Sequence, residues 1–201
     1  PLAIAMARPG RPVLPWLWLG TVVLVGAMWR DPSFDRAVFS VRRCADGRWR
    51  FRWIRWAVVT VGLALALAWL YPRLLFRLPR ERPVVWSLVL LLYPWLSAVP
   101  QTLVYRVFFY HRYRALWAAD WVADLAAAIA FGFMHVVFLN VWAPVLSAAG
   151  GWIFARTYRQ SRSVWASALE HALYGWTVMT IGWGAFFYHG SIATVRAWIG
   201  P

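Results

Sequence analysis

The segment Trp56-Ala-Val-Val-Thr-Val-Gly-Leu-Ala-Leu-Ala-Leu-Ala-Trp-Leu-Tyr71 contains no charged residue. A helix needs about 20 mainly apolar residues to cross the ~30 Å hydrocarbon core of a bilayer. Trp53 before the segment and Trp69 near its end are residues typical of the membrane–water interface, so they extend the apolar run at both ends. The segment therefore predicts a transmembrane helix.

Similar apolar runs cover most of the chain. They occupy residues 13–29, 83–98, 100–117, 121–140, 141–158 and 163–183, with a shorter amphiphilic stretch at 185–199. The interruptions are short loops, and no long Ser/Gly/Pro-rich linker divides the chain. We therefore expect an all-α fold, a polytopic membrane helical bundle of seven to eight helices, built as a single integral membrane domain over residues 1–201.

Composition and charge support this fold class. The 201 residues are 62% hydrophobic and include 17 Trp, whereas soluble domains are about 45–50% apolar. The net charge is +14, and every basic residue is Arg. Because these arginines cluster in short loops between apolar runs, we expect them to contact anionic lipids and expect no nucleic acid partner. The predicted location is a bacterial inner (plasma) membrane, with the Arg-rich loop at residues 30–55 in the cytoplasm.

Four ionisable residues interrupt the apolar runs: Arg106, His135, Glu170 and His171. A charge at the centre of a membrane helix costs about 2.5–3.5 kcal/mol on insertion scales. Such residues persist when they pair, when they line a wet cavity, or when they take part in chemistry. We therefore treat these four as candidates for a functional site.

Helix connectivity predicts that some of these residues meet. The connection near residues 118–120 is short, so the runs on either side should be antiparallel neighbours, which brings Gln101 and Thr102 close to His135. Arg106 lies one turn from Thr102 on the same helix face. Glu170 is adjacent to His171 and should point about 100° away from it around the helix.

Three short motifs follow one another in this part of the chain. They are Gln101-Thr102-Leu-Val-Tyr-Arg106, Phe131-Gly-Phe-Met-His135 and His171-Ala-Leu-Tyr-Gly175. Their order resembles the Glu-Glu-x-x-x-Arg, Phe-x-x-x-His and His-x-x-x-Asn motifs of the CAAX prenyl protease and bacteriocin-processing (CPBP, or Abi) family. The resemblance covers a CAAX-protease-like core at about residues 83–190.

This resemblance implies a bundle of about eight helices and endoproteolysis near the membrane surface, such as removal of the last three residues of a prenylated chain. In the family a Glu activates a water molecule, two His bind that water or the oxyanion, and the Asn completes an oxyanion hole. The implied partner is a peptide or membrane-protein substrate, with or without a lipid anchor.

The chain departs from these motifs at the positions that matter most. Gln101 and Thr102 stand where the glutamates belong, and neither an amide nor a hydroxyl can replace a carboxylate as general base. Gly175 stands where the Asn belongs and has no side chain. Arg106, with Phe131, Asn140 and Gly175, is expected to have a structural or substrate-positioning role.

Several alternatives remain open at this stage. Glu170 could replace the missing base, or it could serve as a structural partner that orients a histidine. His135 could bond a backbone carbonyl or Asn140. Two histidines without a clear third ligand do not predict a metal site, so no cofactor is expected, with zinc as the minor alternative.

Two functions follow from these alternatives. One is a membrane-embedded endopeptidase in which His135, His171, Glu170, Thr102 and Gln101 form the catalytic group. The other is a non-catalytic pseudoprotease that acts as a membrane binding or immunity protein.

Overall fold

The computed structural model describes residues 13–187, and over this range it contains helices and loops only. Its seven helices are α1 (Val13–Arg30), α2 (Trp49–Leu70), α3 (Arg77–Glu81), α4 (Pro83–Leu116), α5 (Asp120–Met134), α6 (Trp142–Ser161) and α7 (Val164–Ile181). The predicted all-α bundle is confirmed. Of the predicted element at 185–199, only its first residues are described, in a 3₁₀ turn at Trp183–Phe187, and the rest lies outside the described residues.

Three of these helices are long and apolar enough to cross a membrane: Trp49–Leu70, Pro83–Leu116 and Asp120–Phe138, the last including the 3₁₀ turn after α5. Their outer faces carry large exposed apolar side chains, such as Val58, Leu65 and Leu91. Continuous exposed apolar surface of this kind is unfavourable in water and suits hydrocarbon. The protein is therefore an integral membrane protein.

Helix α4 corrects one boundary predicted from the sequence. The runs at 83–98 and 100–117 were expected to be separate helices because Pro100 begins the second run, but they form one helix of 34 residues. Proline removes a backbone donor and disturbs the i→i−4 ladder. Here the ladder adapts through two π-helical segments, Pro94–Ala98 and Leu103–Phe108, so the helix continues past both prolines. Gln101 consequently lies in the middle of a helix.

Helix α7 is the central element of the bundle. It packs against α2, α3, α4 and α6, and more than half of its residues are buried. At the Arg-rich end of the bundle, the Trp165 indole donates to the Phe39 carbonyl at 2.7 Å. At the opposite end, the Phe76 amide donates to the Ile181 carbonyl at 3.0 Å. These contacts fix α7 at both ends and place its midpoint inside the protein.

Close packing of α5 against α6 depends on small residues. A Cβ on Gly132 would lie 2.8 Å from both the Ala148 Cβ and the Pro144 carbonyl oxygen. A Cβ on Gly151 would lie 3.1 Å from the Ala128 Cα. The small-residue stretch at 147–151 thus provides the close helix contact that small residues allow in membranes. This contact holds Phe131 and His135 toward α7.

Candidate functional site: an apolar cavity with two histidines

A cavity of about 730 Å³ lies between the helices, and it brings together residues from all three sequence motifs. Gln101, His135, His171 and Gly175 line it. Most of the remaining lining residues are apolar and come from α1, α2, α4, α6 and α7. A cavity of this size and character suits an apolar ligand whose orientation is set by a few polar groups.

His171 lies on α7, about half-way along the helix, and is 4% exposed. Its ring stacks on Phe154 with centroids 4.6 Å apart, and it lies perpendicular to the Phe131 ring with centroids 5.4 Å apart. The Nε2 atom is 3.2 Å from the hydroxyl of Tyr93 on α4. His171 therefore has a defined ring plane and one polar neighbour within the cavity.

His135 begins the 3₁₀ turn that follows α5. Its Nδ1 lies 2.8 Å from the Phe131 carbonyl oxygen, so its hydrogen bond goes to a backbone carbonyl and not to Asn140. The Phe131 ring lies 4.7 Å from the His135 ring and also contacts His171. Phe131 thus separates and orients the two histidines.

Arg106 is fully buried beneath the rings of Phe131 and Phe154. Its guanidinium carbon lies 4.2 Å from the centre of the Phe131 ring and 5.3 Å from that of Phe154. One Nη donates to the Gly151 carbonyl at 3.4 Å, whereas Nε and the other Nη have no hydrogen-bond partner. No carboxylate pairs with Arg106 among the described residues.

Gln101 and Thr102, which stand in place of the glutamates of the Glu-Glu-x-x-x-Arg motif, differ in position. Gln101 lines the cavity, donates to the Ser97 hydroxyl at 3.1 Å, and leaves its Oε1 without a partner. Thr102 is fully buried, does not line the cavity, and has an unpartnered hydroxyl. A carboxylate at position 101 would thus face the histidines, whereas one at position 102 would not.

Glu170 lies outside the cavity, on a different side of α7 from His171. Its Oε1 accepts from Arg55 at 2.5 Å, and its Oε2 accepts from the Thr157 hydroxyl at 2.5 Å. Arg55 also donates to the Thr157 hydroxyl at 3.2 Å. This triad joins α2, α6 and α7. The divergence of Glu170 and His171 agrees with the 100° step expected between adjacent helical residues.

Asn140 and Gly175 contribute to the frame of the site in different ways. Asn140 accepts from the Ala143 amide at 2.9 Å and donates to the Phe186 carbonyl at 2.7 Å, so it connects the start of α6 to the last described turn. Gly175 lines the cavity directly opposite Tyr93. Neither residue places a polar side-chain group beside the histidines.

Sequence reasoning missed Tyr93, Arg55 and Thr157. Tyr93 is an ordinary aromatic residue in an apolar run, and Arg55 belongs to a loop-side cluster of arginines, so neither carries a local signal. Among residues 13–187, no three His, Cys, Asp or Glu side chains come together as metal ligands.

Comparison with known proteins identifies one family. A family model for the type II CAAX prenyl endopeptidases, Rce1-like, matches residues 82–177, which include Tyr93, Gln101, His135 and His171. No curated protein and no solved structure matches the chain. Members of this family are CAAX-type intramembrane endopeptidases that act on membrane-associated prenylated peptides. Residues 82–177 of the chain are thus similar to the Rce1-like type II CAAX prenyl endopeptidases, and this match supports its assignment to the CAAX prenyl protease (CPBP) family.

Proposed function

We propose that this protein uses its cavity to bind the C-terminal segment of a prenylated, membrane-tethered peptide and that, as it stands, it does not cleave that peptide. The observation that carries the proposal is the composition of the cavity wall. Within the described part of the chain, the wall includes both family histidines but no Asp or Glu. The cavity therefore lacks the carboxylate that serves as general base in the family.

The positions of all carboxylates in the chain support this proposal. The sequence has seven Asp and Glu residues, and all lie in the described range. Six of them pair with an arginine, and Asp31 pairs with His111. The pairs are Asp31–His111, Asp35–Arg43, Asp46–Arg52, Glu81–Arg77, Asp120–Arg114, Asp124–Arg159 and Glu170–Arg55. None of these acids lines the cavity, so none can take a proton from water there.

The replacement of a glutamate by Gln101 explains why we expect no cleavage. General-base catalysis contributes about 10²–10⁴-fold to rate, and the amide of Gln101 cannot accept a proton near neutral pH. The imidazoles of His135 and His171 remain suited to stabilising an oxyanion or a ligand carbonyl. The polar part of the site is thus adapted to recognition more than to water activation.

An active endopeptidase with Glu170 as base is the second candidate, and family membership favours it. It requires Glu170 to leave both Arg55 and Thr157 and to reach the cavity. Removing a buried carboxylate from its ion pair costs about 3–5 kcal/mol, which makes this arrangement less favourable than the one proposed.

The Arg-rich end of the bundle supports two further parts of the proposal. Its exposed arginines, such as Arg42, Arg48 and Arg50, are suited to contact with anionic lipid headgroups. The same excess of arginine favours a cytoplasmic position for this end, in a bacterial inner (plasma) membrane.

The proposal is tested with purified protein in liposomes and a synthetic peptide ending in farnesyl-Cys-Ala-Ala-Leu. Binding is followed by fluorescence of a labelled peptide, and cleavage by mass spectrometry of the released tripeptide. We expect binding without release. Gln101→Glu should gain release because position 101 lines the cavity, and Thr102→Glu should not because Thr102 is outside it.

Glu170→Gln and Glu81→Gln form a matched pair for the second candidate. Glu81 pairs with Arg77 at the protein surface, far in sequence from the family motifs. Release by the unaltered protein that Glu170→Gln abolishes and Glu81→Gln preserves would establish Glu170 as the base. Release that survives both changes, or absence of peptide binding, would also overturn the proposal.

A further inference from the structure

Tyr93 occupies the space into which a side chain at position 175 would extend. A Cβ built on Gly175 would lie 2.1 Å from Tyr93 Cε1, 2.4 Å from Cζ and 2.6 Å from the hydroxyl oxygen. Contacts below 3.0 Å are not tolerated by real Cβ atoms. The tyrosine ring and any side chain at position 175 are therefore mutually exclusive in this packing.

The contact between α4 and α7 is fixed on both sides of this point. The Trp176 indole donates to the Leu90 carbonyl at 2.9 Å, and the Trp86 indole donates to the Thr180 hydroxyl at 3.0 Å. Because these bonds set the spacing of the two helices, α4 and α7 cannot simply separate to make room for both Tyr93 and a side chain at position 175. Its ring position depends on the absence of a side chain at residue 175.

The tyrosine hydroxyl also faces the functional side of the cavity. It lies 3.2 Å from His171 Nε2, and both residues line the cavity. A phenol hydroxyl has one donor and two acceptor sites. Ser97 is a further hydrogen-bond partner of this hydroxyl. With the His171 proton on Nε2, the imidazole donates to the tyrosine oxygen, and the single O–H of Tyr93 is left to donate to a ligand carbonyl.

We infer that Tyr93 is a ligand-recognition residue of this cavity: its hydroxyl, positioned by His171 and by the space at Gly175, hydrogen-bonds a peptide carbonyl of the bound ligand. This inference rests on the proposed function and adds the residue that recognises the peptide part. It also explains how the chain retains a polar group beside His171 although residue 175 has no side chain. Tyr93 reaches this place from α4, whereas the family motif would supply its group from α7.

The direct test compares two probes in liposomes, the farnesylated peptide and farnesol, which has no carbonyl group. Tyr93→Phe removes only the hydroxyl. A net hydrogen bond worth about 0.5–1.5 kcal/mol corresponds to roughly a twofold to tenfold change in affinity. We expect Tyr93→Phe to weaken peptide binding by about that factor and to leave farnesol binding unchanged.

Tyr105→Phe is the matched control, because Tyr105 lies on the same helix, packs on Phe131 and does not line the cavity. It should leave the affinity for both probes unchanged. Equal loss of peptide affinity in both variants, loss of farnesol affinity in Tyr93→Phe, or no change in Tyr93→Phe would overturn the inference. Failure of the unaltered protein to bind the peptide would instead overturn the proposed function.

A second experiment tests the exchange between positions 93 and 175 without any ligand. Gly175→Asn alone should lower the thermal midpoint because the new side chain meets the Tyr93 ring. In a Tyr93→Ala background the same change should lower it less, since the space is then free. Equal effects in both backgrounds would contradict the mutual exclusion on which the inference depends.

Discussion

Glu170 and His171 are adjacent on α7, yet their surroundings follow different physical rules. Glu170 is held by two hydrogen-bonded polar partners, Arg55 and Thr157, in a compact triad between three helices. His171 is held mainly by the aromatic rings of Phe131 and Phe154, with one hydroxyl near Nε2. On the Glu170 side of α7 the charge is paired inside the protein. On the His171 side, polar groups remain available in an apolar cavity.

This difference shows how one helix can serve two purposes. Groups that stabilise a fold are already bonded to each other, so they have little left to offer a ligand. Unpartnered atoms of Gln101 and His171, two residues that line the cavity, lie on the His171 side, where buried polar groups are costly unless something satisfies them. We therefore propose that the Glu170 side contributes to stability and the His171 side to recognition.

The largest effect is expected from Phe131→Ala, which removes aromatic support from the His171 side. Phe131→Ala removes a ring that is 2% exposed and contacts both histidines and Arg106. Loss of a buried Phe typically costs about 3–5 kcal/mol. We expect a fall of that size in the free energy of unfolding, measured by denaturant titration in detergent. Phe133→Ala is the control on the same helix, and its exposed side chain predicts a much smaller effect.

The next largest effect is expected from a substitution that breaks the ion pair on the Glu170 side. Arg55→Ala leaves a carboxylate that is 1% exposed with only Thr157 as partner. Breaking a buried pair costs about 3–5 kcal/mol, and partial exposure of Arg55 places the expected loss near 3 kcal/mol. Arg50→Ala, on the exposed face of the same helix, should change the unfolding free energy little. Equal losses in the two variants would show that the triad has no special role in stability.

Arg106 sharpens the comparison because it is a buried cation without a carboxylate partner. Replacing a buried charge with an apolar residue of similar size is often neutral or stabilising. We expect Arg106→Met to change the unfolding free energy by less than about 1 kcal/mol, whereas Arg55→Met should lose about as much as Arg55→Ala. A loss above 3 kcal/mol for Arg106→Met would indicate a partner that the aromatic contacts do not account for.

The smallest effect concerns an ion pair outside the membrane. Asp35 and Arg43 are paired at 2.7 Å but remain substantially exposed. The hydrogen bond from Arg43 is the main cause that lowers the pKa of Asp35 below its ordinary value of 3.8. The pair therefore stabilises the fold above pH 3.8 and loses this contribution as the pH falls through the lowered pKa.

For this exposed pair, Asp35→Asn should cost less than about 1 kcal/mol at pH 7. The difference from the unaltered protein should disappear below the lowered pKa, as measured by unfolding titrations at several pH values. If Asp35→Asn lowers the unfolding free energy as much as Arg55→Ala does, burial is not the reason why the Asp35–Arg43 and Glu170–Arg55 pairs differ.

The sequence was informative where one pattern decides the structure. Apolar runs identified the membrane helices, and the 100° step between neighbouring residues predicted that Glu170 and His171 diverge. The break at Pro100 was predicted wrongly because π-helical segments allow α4 to continue past both prolines. The tyrosine that contacts His171 lies 78 residues away from it in sequence. Its role depends on a space beside Gly175, and only the packing of α4 against α7 creates that space.

Native mass spectrometry of the protein with the farnesylated peptide tests the central claim most directly, because one spectrum reports both binding and cleavage. The account predicts a complex that contains the peptide at its full mass after prolonged incubation. A peptide shortened by its last three residues would contradict the proposal that the protein does not cleave its ligand. Absence of any complex would contradict the assignment of the cavity as a binding site for prenylated peptides.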